Sequence, residues 1–447
     1  MYKMGRLREK FSASILSAIR ARRESASTPG TQPSYASGGL PPAMIREASF
    51  SDFDGVAALK QRWGVAADSM ENWERLWRHN PALVQQNCDR PIGWVLEADG
   101  VVVGYLGNIS LLCRYGDRTL TAVTSHALVV DPPYRAVGVS LVAAFFRQKS
   151  ADLFLSTSAI ESVGKIALAF KSSPVPQPDY DTVLFWVLQP RPFAEALMKK
   201  LELNSTASGI VGMLTSAAIG TDRIIGRRTP RQPSAAFAIS EISVNEIGDE
   251  FQALWALKLN ESPRLLTDRN PVALRWHYEI PGDRGSVRVL CCHHNGELAG
   301  YVVVRSDTEE QSGLSKSLIA DLIVRQDDPE VVAALYYAAY EYAKRLGSHV
   351  LEVVGFPAGI RNVCLQWNPY RRKLPACPFF YKAADPVLHK ALAHAPAWYA
   401  CPFDGDATLV RPSYSASALR SKSGMRIATE EAKATPQVLE RARTHAG

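Results

Sequence analysis

The amino-acid sequence predicts an α/β protein made of two similar lobes, each with a mixed, mostly antiparallel sheet flanked by helices. Two observations favour this fold class. The chain has 447 residues, more than a single hydrophobic core usually organises. In addition, one order of predicted elements occurs twice, at an offset of about 196 to 200 residues. We therefore expect an internal duplication, with one large α/β domain as the alternative.

Each predicted repeat begins with an amphipathic helical segment and a β-hairpin. The helical segments end at residues 77–81 and 276–281. The hairpin turns are Asp99-Gly100 in the first repeat and Asn295-Gly296 in the second, and tight two-residue turns favour both dipeptides. These turns align the two repeats with each other.

The rest of each repeat follows the same order, with a third strand, a helix, a fourth strand, a short helix and a closing hairpin. The third strand, helix and fourth strand are predicted at 121–132, 140–151 and 151–157, and again at 317–329, 331–347 and 349–356. The short helix and closing hairpin are predicted at 165–188 and 360–383. This order places the two lobes at residues 43–235 and 236–410.

The two ends of the chain differ from the lobes in composition. Residues 1–42 predict a basic amphipathic helix and a flexible Ser/Pro/Gly linker, and residues 411–447 predict a disordered polar tail. Of the net charge of +7, about +5 lies in residues 1–24 and about +4 in the tail. The lobes therefore carry no basic groove for nucleic acid, whereas residues 1–23 suit a weak contact with an anionic membrane surface.

The cysteine and acidic motifs predict no metal site. Seven scattered cysteines without a CxxC pair indicate a reducing cytoplasm, and the basic helix adds peripheral contact with the inner membrane face. The run Cys291-Cys292-His293-His294 lies on a predicted strand, where neighbouring side chains point to opposite faces. The motif at 404–406, Asp-Gly-Asp, matches a calcium loop only in part, because the other oxygen ligands are missing.

One loop carries a more specific signal. Residues 128–141 run from a predicted strand into a predicted helix and include Arg135 and Gly138. Backbone amides at the start of a helix suit a pyrophosphate, an arginine neutralises it, and a glycine allows close approach. The segment resembles the acyl-CoA loop of the GNAT (GCN5-related) N-acyltransferase superfamily, [QR]-x-x-G-x-[GA]. Ser140 departs from that pattern at the last small position.

The resemblance extends to the element order of both lobes, so it implies the GNAT fold in tandem. It also implies acetyl-CoA as acyl donor, a primary amine as acceptor and direct transfer in the first lobe. Ser158 and Ser162, after the fourth strand, correspond to positions that contact the pantetheine arm. The implied donor-binding residues are Leu128, Val129, Val130, Arg135, Ala136, Val137, Gly138, Val139, Ser140, Ser158 and Ser162.

Two catalytic residues are predicted for the first lobe. His126 precedes the strand segment expected to contact pantetheine, and histidine titrates near neutral pH, so it is the candidate general base. Members of the family often use a tyrosine as the acid for the thiolate, but Phe170 stands at the corresponding place. Tyr180 is the candidate acid, with water as the alternative.

The second lobe is expected not to bind CoA. Its equivalent loop has no glycine, and Asp327, Asp328 and Glu330 would repel a pyrophosphate. Two further functions stay open. One is an aminoacyl-tRNA-dependent transferase similar to the two-lobed FemAB proteins, and the other is a non-catalytic acyl-CoA-binding or scaffold protein.

Overall fold

The computed structural model of the protein describes residues 40–86, 90–200, 216–232, 237–283 and 285–410. The predictions for residues 1–39 and 411–447 fall outside these ranges. The strands are β1 Ala43–Glu47, β2 Gly93–Ala98, β3 Val101–Tyr115, β4 Arg118–Val130, β5 Leu153–Ser156, β6 Ser173–Pro174, β7 Thr182–Val187, β8 Ala238–Ile242, β9 Leu266–Thr267, β10 Val287–His294, β11 Glu297–Glu309, β12 Leu314–Val324, β13 Val350–Val353, β14 Tyr370–Lys373 and β15 Phe380–Ala383.

Helices cover both sheets and the contact between them. They are α1 Phe53–Arg62, α2 Met70–Trp73, α3 Pro81–Gln86, α4 Arg135–Arg147, α5 Glu161–Ala169, α6 Pro190–Lys200, α7 216–225, α8 Asp249–Leu259, α9 Pro271–Tyr278, α10 Pro329–Arg345, α11 Ala358–Leu365 and α12 Pro386–Ala391. A π-helical turn, Glu74–Arg78, follows α2 directly.

The predicted fold class is confirmed, because the strands form two mixed sheets flanked by helices. The first sheet has the order β1-β2-β3-β4-β5-β15-β6, with β9 paired to β3. The second has the order β14-β7-β13-β12-β11-β10-β8. Among the described strands, β4 pairs with β5 and β12 pairs with β13 in parallel, and the other strand pairs are antiparallel. An isolated parallel bridge joins Leu265 to Trp398.

Both predicted hairpin turns form where the dipeptides stand. Asp99 and Gly100 have φ values of 47° and 75°, and Asn295 and Gly296 have 53° and 82°. Two consecutive residues with positive φ suit the twist of an antiparallel hairpin, and Asp, Asn and Gly reach that conformation most easily. The turns thereby join β2 to β3 and β10 to β11.

The predicted closing hairpins are wrong. Strand β7 does not pair with β6 but lies in the second sheet between β13 and β14. Reciprocally, β15 lies in the first sheet between β5 and β6. Each half of the chain therefore contributes one strand to the sheet of the other half. The alternating pattern of a strand shows which face is buried, but it does not say which partner the strand pairs with.

The hydrophobic cores follow from this arrangement. One core fills the second lobe around β10–β13, α8 and α10. In the first lobe, a core lies under α1, α2 and the contact with the second lobe, and another lies under α4. Within the described part of the chain, no helix combines the length and the apolar character needed to cross a bilayer.

Candidate functional site

A bulge in β4 sets the position of His126. Gly107 of β3 faces His126, whereas Tyr105, two residues earlier, faces Val129, so β4 carries one extra residue here. Ala127 has φ of 53°, a conformation that non-glycine residues adopt only where the surrounding structure fixes it. Strand β4 is the predicted third strand of the first repeat. The bulge changes its direction at His126, the predicted catalytic base.

Strands β4 and β5 separate just before His126. The parallel pairing of β4 with β5 covers only residues 122–124 with 153–155, yet β4 continues to Val130. His126 therefore lies past the last paired residue. The gap between the two strands is the place where a side chain from elsewhere in the protein enters.

That side chain is Asp406, which lies 280 residues from His126 in the sequence. His126 Nδ1 is 3.3 Å from Asp406 Oδ2, and both side chains are almost fully buried. Thr157 Oγ1 donates to Asp406 Oδ1 at 2.9 Å, and Ser158 Oγ lies 2.9 and 3.0 Å from the two oxygens. A carboxylate in this position can accept a hydrogen bond from Nδ1–H of His126, and such a bond orients the imidazole ring.

A second buried carboxylate lies near His126. Asp68 accepts from Lys60 Nζ at 2.7 Å and from Asn72 Nδ2 at 3.0 Å. Burial alone would raise the pKa of Asp68, but the charges of Lys60 and His126 act in the opposite direction, and the pKa is lowered overall. Asp68 is therefore ionised at neutral pH, and the site holds two carboxylates beside one histidine.

Two buried hydroxyl groups complete this face of the sheet. Tyr105 Oη and Thr124 Oγ1 have no hydrogen-bond partner among the described residues. The Tyr105 hydroxyl lies over Gly107, 2.8 Å from the position a Cβ would take, and that position is 3.3 Å from His126 Cβ. Burial raises the pKa of Tyr105 well above its usual value, so the phenol keeps its proton. Sequence reasoning missed Asp406, Asp68 and Tyr105.

The start of α4 forms the second part of the site. Asp131, just before it, accepts from Arg62 Nη2 at 2.9 Å and from Trp63 Nε1 at 2.6 Å. Arg135, the first helical residue, is partly exposed, with its guanidinium 6.0 Å from the Trp63 ring centroid. These contacts fix the entry of the helix and leave the arginine at the surface.

The structure corrects the amides predicted to bind phosphate. The helix begins at Arg135, so the amides of Val139 and Ser140 belong to its internal ladder instead of pointing outward. Before them, the amides of Tyr134 and Arg135 bond to the carbonyl groups of residues 131 and 132. Ala136 and Val137 remain as exposed residues of the first turn, where backbone amides have no acceptor within the α-helical ladder.

Gly138 has a packing role that differs from the predicted one. A Cβ at this position would lie 2.9 Å from Val130 Cγ2, so the glycine lets α4 pack closely on β4. The Ser140 hydroxyl donates to the carbonyl of Val137 at 2.6 Å, within the helix. Along β4, Val129 lies in the core, while Leu128 and Val130 are partly buried against the α4 side.

The remaining predicted residues lie at different places. Ser158 reaches Asp406 as described, whereas Ser162 is an exposed residue in the first turn of α5. Tyr180 is buried, with its ring 5.4 Å from the Phe379 ring in an edge-on contact. The role of Tyr180 as the acid stays a prediction.

The equivalent loop of the second lobe is occupied by its own ion pairs. Asp327 lies 2.6 Å from both Lys258 Nζ and Arg264 Nη1, and Asp328 caps α10 by accepting from the amide of Glu330. The separation of β12 and β13 is filled by Tyr399, whose hydroxyl donates to the carbonyl of residue 322 at 2.6 Å. This leaves the first lobe as the candidate for ligand binding.

Neither of the two described cavities borders His126. The larger, about 340 Å³, lies in the second lobe between β8 and α10, and the smaller, about 20 Å³, lies at the contact between the lobes. Among the described residues, no group of three or more His, Cys, Asp or Glu side chains is placed to hold a metal ion.

Comparison with known proteins gives distant structural similarity only. No protein-family model and no curated protein matches the chain. The structure is similar to a GCN5-related N-acetyltransferase from Anabaena variabilis, at 10% identity over 77% of this chain and 73% of that one, with a TM-score of 0.48. A GCN5-related N-acetyltransferase from Kribbella flavida is 11% identical over 77% and 72%, with a TM-score of 0.47.

A third similar structure is the N-myristoyltransferase of Saccharomyces cerevisiae with bound myristoyl-CoA. It is 12% identical over 80% of this chain and 83% of that one, with a TM-score of 0.47. Because these identities are so low and the TM-scores are below 0.5, the similarities carry no argument about the activity of this chain. The function has to be argued from its own residues.

Proposed function

We propose that the protein is an acyl-CoA-dependent N-acyltransferase that moves an acetyl group to a primary amine, and that transfer takes place in the first lobe. The observation that carries this proposal is the buried pair of His126 and Asp406 in the gap between β4 and β5. The exposed first turn of α4 begins a few residues further along the chain.

In this proposal His126 is the general base. Because Asp406 accepts from Nδ1–H, the neutral imidazole has its lone pair on Nε2, the nitrogen that takes a proton. The amine nitrogen attacks the thioester carbonyl, the C–N bond forms, and His126 accepts the proton that the amine loses. The C–S bond then breaks and CoA leaves as a thiolate, which must be protonated.

The proton donor to the thiolate stays a prediction. Tyr180 is the candidate from the sequence, and burial raises its pKa well above the usual value, so its phenol holds a proton at neutral pH. Water is the alternative. Neither assignment is needed for the role of His126.

The donor is assigned to the start of α4 and the separated part of β4. The amides of Ala136 and Val137, at the positive end of the helix dipole, suit a pyrophosphate, and the partly exposed Arg135 adds a fixed positive charge. The pantetheine arm is assigned to the edge of β4 at residues 128–130, with Ser158 opposite. Ser162 stays a predicted contact of the same arm.

One observation favours a non-catalytic acyl-CoA-binding protein as a second candidate. His126 is almost fully buried, so an acceptor reaches its ring only when neighbouring side chains change position. A binding protein and an enzyme differ in turnover, which the experiments below measure separately from affinity.

The test of donor binding is calorimetric titration of the full chain with acetyl-CoA, comparing Val137→Glu with Val387→Glu. Both valines are exposed and stand in the first turn of a helix, α4 and α12 respectively. Val137→Glu should weaken binding at least tenfold by repelling the phosphates, while Val387→Glu should leave it unchanged. Equal affinities would remove α4 from the proposal. Gly138 is a poorer choice, because any side chain there also disturbs packing on Val130.

The test of the base is turnover of acetyl-CoA with a panel of primary amines. His126→Ala should lower kcat on the order of 10²- to 10⁴-fold at neutral pH while the affinity for acetyl-CoA stays within about twofold. Undiminished turnover would exclude His126 as the base. Tight binding without turnover in the unchanged protein would favour the binding-protein alternative.

A further inference from the structure

Residues 401–410, here called the interlobe segment, connect the candidate site to the second lobe. All of these residues except Ala407 are buried. Among the contacts of this segment, one with the first lobe is made by Asp406 and one with the second lobe by Asp404, with only Gly405 between the two. The two attachments are made by carboxylates of the Asp-Gly-Asp motif.

The attachment in the second lobe is centred on Arg269, which is almost fully buried. Its Nη2 donates to Asp404 Oδ1 at 3.2 Å, and its Nε lies 3.1 Å from both carboxylate oxygens of Asp321. Asp321 in turn accepts from the Tyr301 hydroxyl at 3.0 Å. Arg269 therefore ties the interlobe segment to β12, the central strand of the other sheet.

Electrostatics keep Arg269 charged in this attachment. Burial alone would lower the pKa of Arg269, but the charges of Asp321 and Asp404 raise it well above its usual value, so the guanidinium stays charged. Asp404 also accepts from the amide of Cys401 at 2.8 Å. A movement of Asp404 would break both its ion pair with Arg269 and its hydrogen bond to the Cys401 amide, so Asp404 has little freedom to move.

The geometry of the chain transmits this restraint to Asp406. Two residues span at most about 7 Å, so a displacement of Asp404 is passed to Asp406. Gly405 packs directly against Thr157, because a Cβ at this position would lie 2.1 Å from Thr157 Oγ1, so the backbone has little room to shift on that side. The hydrogen bond between His126 and Asp406 is already long at 3.3 Å, and a small shift would break it.

We propose that Arg269 and Asp404 are positioning residues for the first-lobe site: they hold Asp406 against His126 without touching the reacting atoms. The second lobe then has a role in the chemistry of the first, although its own loop is closed by ion pairs. This inference rests on the proposed function for its kinetic consequence, but not for its structural one.

The decisive variant is Asp404→Asn, which keeps the shape of the side chain and removes its charge. We expect kcat to fall on the order of tenfold, with KM for acetyl-CoA and amine within about twofold, because the base is misplaced while the substrate contacts stay. Arg269→Lys keeps the charge but loses the planar fork that reaches Asp321 and Asp404 together, so it should give a smaller loss.

The matched control is Asp327→Asn. It removes a carboxylate from a buried cation, Lys258, in the same lobe, but it has no contact with the interlobe segment. Its kcat should equal that of the unchanged protein. Thermal unfolding of all variants measures the folded fraction of each preparation. The kcat of each variant is then calculated for the folded protein alone.

A second readout does not depend on turnover. In protein with ¹⁵N-labelled histidine, the Nδ1–H of His126 bonded to Asp406 should give a downfield, slowly exchanging proton resonance, assigned by its loss in His126→Gln. The resonance should disappear in Asp406→Asn, weaken in Asp404→Asn and persist in Asp327→Asn.

The outcomes separate this inference from the proposed function. If the resonance behaves as expected but no variant and no unchanged protein transfers an acyl group, the positioning role stands and the proposed function fails. If transfer occurs and Asp404→Asn leaves both kcat and the resonance unchanged, Thr157 and Ser158 hold Asp406 by themselves and the positioning role is overturned.

Discussion

His277 is a buried histidine at the contact between the lobes. Its Nε2 lies 2.8 Å from Thr408 Oγ1, and its side chain is almost fully buried. Burial, followed by the positive charges of three arginines that include Arg75, lowers the pKa of His277 well below its usual value. The folded protein therefore keeps this ring neutral, whereas the unfolded chain protonates it near pH 6.5.

Mild acid should consequently destabilise the protein through His277. Below about pH 6.5 the unfolded state binds a proton that the folded state does not, so the free energy of unfolding falls by up to ~1.4 kcal/mol per pH unit. The variant His277→Gln has no titratable group at this position, so its free energy of unfolding lacks this pH-dependent contribution. Urea unfolding at about pH 7.5, 6.5 and 5.5 should show the difference between the two proteins shrinking as the pH falls. A constant difference would contradict the assignment.

The residues of the candidate site differ in how visible they are in the sequence. His126 could be predicted, since a titratable side chain on a strand before a glycine loop is a local feature. Asp406 could not, because its partners lie about 250 to 280 residues earlier and only the folded chain brings them together. The one local signal for Asp406 was the Asp-Gly-Asp motif. Because the other oxygen ligands of a calcium loop are missing, that motif predicted only a partial match to a metal-binding loop.

At the scale of elements, the interlobe segment depends on one glycine. Gly405 has φ of 150° and passes against Thr157. Gly405→Ala should lower the free energy of unfolding by about 2–3 kcal/mol, because it combines backbone strain with a steric clash. Gly313→Ala is the control: its φ is 69°, but nothing lies within 4 Å, so it should cost only about 1 kcal/mol. Equal losses in chemical denaturation would argue against the clash.

The elements themselves were largely predictable, and their pairing was not. The hairpins around Asp99-Gly100 and Asn295-Gly296, the long β4 and the helix α10 follow from turn chemistry and periodicity. The helix α4 starts five residues earlier than predicted, because Arg135 and Ala136 have no pattern that separates them from a loop. The placement of β7 and β15 depends on contacts between distant parts of the chain, which periodicity does not contain.

At the scale of the whole molecule, the strand exchange joins the two lobes through their sheets. Each sheet contains a strand from the other half of the chain, and β9 adds a further link to β3. Neither half has a complete sheet by itself. The boundary predicted near residue 235 therefore separates the two sequence repeats, but each sheet contains strands from both sides of that boundary.

We expect the full chain to unfold in a single calorimetric transition. Residues 40–235 expressed alone should lack cooperative unfolding, because their sheet has a gap where β15 belongs and β7 has no partner. Co-expression with residues 236–410 should restore the transition. Two separate transitions in the full chain, or an independently folded first half, would show that the exchanged strands are dispensable.

The strand exchange also delays completion of the first sheet during protein synthesis. Strand β5 leaves the ribosome more than 200 residues before its neighbour β15, and Asp406 follows later still. At about 5–20 residues per second, the first lobe waits roughly 10 to 45 seconds with an open sheet edge. A chain that is released in this interval lacks both β15 and Asp406, so its first sheet keeps an unpaired strand edge of the kind that chaperones and proteases recognise.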